Sequence, residues 1–145
     1  MRRLWMPGLI CLLAIALGAC GEEVAGPLPI LERVEVIQGD PSFSRVIQEI
    51  FNRRGCAASA CHGSKRRADL DLRAGNAWAN LVNVPSTQTP AVARVIPRDL
   101  LQSYLMVKVE GRQTVGGQMP LDWPPLDDID LGNLRNWIAQ GAKAN

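Results

Sequence analysis

Histidine is nearly absent from this chain: 145 residues contain one, His62. Cysteine is sparse as well, with Cys11, Cys20, Cys56 and Cys61 making up the full set of four. A structural zinc site draws about four ligands from these two residue types. With two of the cysteines in the first 20 residues, the rest of the chain cannot fill such a set. An excess of charge of one sign is also missing, with 16 basic residues facing 14 acidic ones. A nucleic-acid-binding protein would show a basic footprint, so the composition offers nothing toward that class. No internal repeat and no low-complexity tract is visible. Nor is there a long hydrophobic run: the stretch at 9–17 is too short to span a bilayer.

That short run has its own meaning. Arg2 and Arg3 precede it and Leu17-Gly18-Ala19-Cys20 closes it, which is the order of a secretory signal. The closing tetrad resembles the lipobox of bacterial lipoproteins. The resemblance implies a signal peptide at 1–19, cleavage before Cys20 and lipidation of Cys20. The protein is then expected in the bacterial cell envelope, lipid-anchored to a membrane and facing the periplasm or the exterior. The competing reading is a plain signal peptide with a chance cysteine. Gly21, in place of an acidic residue, does not say which membrane is used. Losing Arg2 and Arg3 leaves the mature chain formally neutral, so the pI near 8.5 belongs partly to the signal. Gly21, Gly26, Pro27, Pro29 and Gly39 mark 20–39 as a tether, with a short strand possible over 31–38. The remaining residues, 40–145, form one small domain with a modest core.

Helical periodicity dominates that domain. Asp40-Pro41 opens the first helix, with Asp able to accept from free amides and Pro suited to the first turn. Phe43, Val46, Ile47, Ile50 and Phe51 then fall on one face, and the helix stops at Gly55. A second helix is predicted over 76–82, with Trp78, Leu81 and Val82 on one side and Pro85 beyond its end. A third starts at Pro97 or Arg98 and turns Leu100, Leu101, Tyr104 and Leu105 inward. The fourth is capped by Asp127, stapled by Leu126 on Leu131, and buries Leu131, Leu134, Trp137 and Ile138. Gly141 marks its end. Between the third and fourth lies a Gly-rich loop, Gly116-Gly117-Gln118-Met119-Pro120.

The densest chemistry sits just after the first helix, in Cys56-Ala57-Ala58-Ser59-Ala60-Cys61-His62-Gly63. In an oxidising compartment Cys56 and Cys61 are expected to be disulfide-bonded or otherwise covalently used. Two thiols followed at once by a histidine suit covalent haem attachment, with thioethers to the ring and the imidazole beneath the iron. The usual c-type spacing has two residues between the cysteines, and here there are four. The intervening residues are small enough to bulge outward without moving Cys61 relative to His62. A sixth iron ligand has two thioether candidates, Met106 and Met119. Met106 falls in the third helix and reads as core filling, whereas Met119 sits in the loop, where backbone can approach a flat ring. His/Met ligation raises the reduction potential and suits electron transfer.

These elements in this order, together with Leu70-Asp71-Leu72, Ser103-Tyr104-Leu105, Trp137-Ile138 and Gly141-Ala142, resemble the small class I-type mono-haem cytochrome c domains of bacterial envelope lipoproteins, notably planctomycete- and myxobacterium-type ones. The likeness runs over roughly residues 40–142. It implies an all-α, cytochrome c-like helical domain wrapped around one haem c. It implies covalent haem on Cys56 and Cys61, with iron between His62 and Met119. The expected activity is electron transfer by a membrane-tethered carrier, not an enzyme, working with redox partner proteins of the cell envelope. With His62 on iron, no histidine is left for a catalytic base, and no small-molecule substrate is indicated. Two other functions stay open. One is a haem-free binding or structural lipoprotein with a Cys56–Cys61 disulfide; the other is the electron-accepting subunit of an envelope oxidoreductase. Lys65, Arg66 and Arg67 are candidates for haem propionates or an acidic partner, beside the simpler reading of a solvated face. Trp78, Trp123 and Trp137 read as core or haem wall, and Asp127, Asp128 and Asp130 as acids complementing a helix dipole.

Overall fold

A computed structural model describes residues 36–145. The expected signal peptide (1–19), the lipidation site Cys20 and the tether up to residue 35 lie outside them. The first apolar face appears where its spacing puts it. A wide π-helical turn, Phe43–Ile47, runs directly into helix α1, Gln48–Arg53. Phe43, Ile47, Ile50 and Phe51 are all buried on it.

The start of this helix differs from the expected one. Asp40 does not cap it but pairs with Lys143 at 2.9 Å. The free amides go to the far end of the chain. Phe43 N donates to Asn145 Oδ1 at 2.9 Å, and Ser44 N to the Asn145 carbonyl at 2.8 Å. A helix start must place its unpaired amides somewhere, and here the partner lies about a hundred residues away in sequence. The last residues of the predicted tether also belong to the fold. Gln38 N donates to Asn133 Oδ1 at 2.8 Å, and Asn133 and Asn136 donate to the Val36 and Gln38 carbonyls.

Three further helices follow: α2, Ala77–Leu81; α3, Tyr104–Val109; and α4, Asp128–Ala139. A 3₁₀ turn at Arg67–Asp69 and three isolated β-bridges complete the regular structure among the described residues. The third helix starts six or seven residues later than its periodicity suggests. Arg98 takes a left-handed φ of 66°. The Ser103 hydroxyl bonds back to the Ile96 amide and carbonyl, and Asp99 Oδ1 accepts from Gln102 N. Such local side-chain bonds offer the backbone an alternative to the helix ladder. Leu101, expected inside, is left 75% exposed.

α4 is the backbone of the core. Asp127 caps it, its Oδ1 accepting from Asp130 N at 2.9 Å, and Leu126 is buried with Leu131 packed against the same cluster. Trp137 is 1% exposed, with its ring 5.2 Å from Phe43 and its indole nitrogen bonded to the Lys143 carbonyl. Met106, Leu134 and Ile138 close the layer with no exposure. Asp130 does more than complement a dipole. It is buried beneath α1 and receives Arg53 at 2.7 Å as well as Arg54, which also reaches Asp127. This carboxylate holds the end of α1, and hence the residues just before Cys56, onto the start of α4. No helix among the described residues is long and apolar enough to cross a membrane.

Candidate functional site

The chain leaves α1 through Arg54 and Gly55 and coils tightly on itself. His62 N donates to the Cys56 carbonyl at 3.1 Å, while Cys61 N and Gly63 N both reach the Ala58 carbonyl. The two extra residues between the cysteines are absorbed into this turn, and Ala58, Ser59 and Ala60 face solvent. The His62 carbonyl then accepts from Leu72 N at 2.7 Å. Cys56, Cys61 and His62 are thereby fixed on one short, hydrogen-bonded segment.

The imidazole is oriented as well. His62 Nδ1 lies 2.8 Å from the Arg67 carbonyl. A carbonyl only accepts, so Nδ1 carries the proton and Nε2 keeps its lone pair. Burial lowers the His62 pKa, against an opposing contribution from this hydrogen bond, and so favours the neutral form that binds metals. The supporting segment is conformationally unusual. Arg66, Ala68 and Asp69 all have positive φ, between 46° and 56°. Arg94 holds it in place, donating to the Ala68 and Asp69 carbonyls at 3.1 and 3.0 Å, and Thr87 adds a bond to Ala68 at 2.8 Å.

Both thiols are free. Burial pushes the Cys56 thiol up to about 11. It is therefore protonated at neutral pH, unlike the low-pKa thiolates of exchange sites. The two cysteines and His62 open onto a cavity of about 350 Å³, within the range of small-molecule and cofactor pockets. Met119 and Pro120, joined by a cis peptide bond, face the same cavity from the Gly-rich loop. Phe51, Leu72, Leu81, Val109, Leu126 and Leu134 supply apolar walls.

The four residues singled out for iron and thioethers, separated by up to 63 positions, thus share one cavity. Met106 does not line it; it is fully buried in the core. Of the basic triplet, Arg67 reaches the cavity, whereas Lys65 and Arg66 do not, and Arg66 instead lies 3.9 Å from Asp71. Trp137 packs in the core away from the cavity, whereas Trp78, expected in the core or haem wall, is exposed and bonds the Ala142 carbonyl. Trp123 stands at the cavity, 66% exposed. No three of Cys, His, Asp and Glu among the described residues are grouped to hold a bare metal ion.

Sequence reasoning missed the polar residues of the cavity. Arg94 and Lys108 both line it and are buried, at 7% and 6% exposure. Tyr104 lines it with a buried hydroxyl that has no hydrogen-bond partner among the described residues. One signal was available for Lys108: it lies four residues after Tyr104, on the same helix face. Nothing around Arg94 in the sequence marks it. Comparison with protein-family models, curated proteins and solved structures finds no match for the chain.

Proposed function

We propose that this protein is a mono-haem c-type cytochrome, an all-α electron carrier tethered through Cys20 to a membrane of the bacterial envelope. It would exchange electrons with redox proteins on the periplasmic or exterior face. The observation that carries this reading is the shared cavity. Two free thiols, the chain's one histidine in its Nε2-available tautomer, and a loop methionine all border a single apolar space of ligand size.

The residues present suit the group. Cys56 and Cys61 would hold haem c through thioethers, and His62 Nε2 and Met119 Sδ would ligate its iron. The bound haem would supply one-electron chemistry at a potential raised by the methionine ligand. The chain's own part is to position and exclude. The Arg67 carbonyl fixes the imidazole tautomer and ring plane, a support that metal-binding histidines commonly have. The apolar walls keep water from the ring, and the turn at 57–60 absorbs the wide cysteine spacing.

The test is expression with haem-attachment machinery, followed by extraction with acidified acetone. Colour that stays with the protein is the expected result; a folded, colourless protein would end the reading. In the coloured protein, Met119→Ala should remove the methionine–iron absorption band. If Met106→Ala removes it instead, the ligand assignment is wrong.

A further inference from the structure

An apolar cavity is an odd place for two cations. Lys108 Nζ is buried, donates to the Val115 carbonyl at 3.2 Å and sits 5.9 Å from the centre of the Tyr104 ring. Arg94 is equally buried and spends its bonds on backbone carbonyls of Ala68, Asp69 and Asn80. Neither has a carboxylate within 4.0 Å among the described residues, although Asp71, Glu110 and Asp130 all pair with arginines elsewhere. A buried charge without a close ion-pair partner is expensive; the Asp69 carboxylate acts on Arg94 only from beyond that distance, and both cations remain in the wall of the cavity.

Other donors collect at the same place. A Cβ built on Gly116 would lie 3.1 Å from Gln88 Nε2 and 3.3 Å from Lys108 Nζ, so these two nitrogens converge on one backbone position. Gln88, Tyr104, Lys108 and Gly116 all border the cavity. The Gln88 amide, the ammonium and the orphaned hydroxyl can each donate, and no carboxylate is placed there to accept. Arg94 retains N–H groups beyond the three used on carbonyls.

We propose that Lys108, Gln88 and Tyr104, together with Arg94, form a carboxylate-binding subsite within the cavity that takes the two propionate groups of the haem. The inference rests on the haem reading above and adds to it the part of the chain that orients the ring. Two cations match two carboxylates, and the thioether, histidine and methionine groups are left to hold the ring itself. The subsite differs from the sequence-level candidates: Lys65 and Arg66 lie outside the cavity, and the cations that reach it come from residues 94 and 108.

The experiment titrates the full-length apoprotein with hemin and, separately, with hemin dimethyl ester, whose propionates cannot carry charge. Ligation by His62 and Met119 is followed in the absorption spectrum and affinity from the titration. Charge-assisted hydrogen bonds of this kind predict an affinity for the free acid about tenfold or more above that for the ester. Lys108→Met and Gln88→Leu should each reduce that preference while leaving the ligated spectrum in place. Arg94→Met should reduce it as well, but this substitution also releases the 66–69 segment, so the first two variants decide. Equal affinity for acid and ester, with a normal ligated spectrum, would overturn the subsite and leave the haem reading intact. Absence of any ligated spectrum would overturn both. Tight binding of oleate with no iron ligation would instead assign the cavity to an apolar carboxylate.

Discussion

The two sides of the cavity are built to different standards. On the histidine side, ten backbone amides between residues 57 and 72 donate to backbone carbonyls, and the Arg67 carbonyl fixes the ring. On the methionine side, the loop from 111 to 126 is held at fewer points: Arg112 N to the Val107 carbonyl, Lys108 Nζ to the Val115 carbonyl, Gln118 to the Val109 carbonyl, Met119 N to the Lys108 carbonyl, and a long Trp123–Pro120 contact at 3.4 Å. Leu121 and Trp123 are largely exposed there. The His62 ring is thus placed by the fold alone, while Met119 hangs on a segment with fewer bonds to lose. Stability is commonly distributed unevenly in this way.

The comparison can be broken most sharply at the ligands. On the proposed haem reading, His62→Ala should abolish the His/Met-ligated absorption spectrum, whereas Met119→Ala should keep histidine ligation and lower the reduction potential. Absorption spectra and a redox titration read both, and equal losses would mean that the two sides are equivalent. The next largest contrast uses glycine. A Cβ at Gly63 would sit 2.4 Å from the Ala57 carbonyl oxygen and 2.7 Å from that of Ala58. These are backbone atoms inside the hydrogen-bonded turn, so Gly63→Ala should cost about 3 kcal/mol or more. At Gly117 the obstacle is the Leu121 Cδ1 atom, at 2.6 Å. That exposed side chain can swing away, so Gly117→Ala should cost about 1 kcal/mol or less in denaturant melts.

Hydrogen exchange of the apoprotein should place the His62, Gly63 and Leu72 amides in a slower class than those of Met119 and Trp123, by about tenfold or more. Similar rates would remove the distinction. The smallest effect is pH. Burial lowers the His62 pKa in the folded chain, so the unfolded chain binds more protons as pH falls. Stability of the apoprotein should therefore decline as pH drops below about 6.5, and His62→Gln should flatten that step in urea melts. A second decline is expected below about pH 4. The Arg73 hydrogen bond holds the Asp71 carboxyl well below its usual range, so its contribution is present above that pH and is lost as the group protonates.

Much of this was readable in the residues. The spacing of Phe43, Ile47, Ile50 and Phe51 describes a buried face because helical neighbours lie three and four positions apart, and that rule needs no tertiary knowledge. Asp127 and Leu126 announce the start of α4 for the same local reason. The Cys56–Cys61–His62 group and Met119 were legible because so few residues of their kinds exist in the chain. The starts of the first and third helices were not. Asn145 caps the first across the length of the domain, and the bonds of Ser103 and Asp99 hold 96–102 out of the third.

What the sequence determined by itself was therefore local: which faces are apolar, where α4 is capped, and which side chains have the chemistry for iron and thioethers. The tertiary structure alone decided that those side chains share a cavity. It also decided that the Arg67 carbonyl selects the imidazole tautomer, and that Arg94 and Lys108 are buried beside a hydroxyl with no partner. The reason is physical. Periodicity and capping act over a few residues, but burial and the partner of a charge depend on segments up to a hundred residues apart, which meet only when the chain is folded.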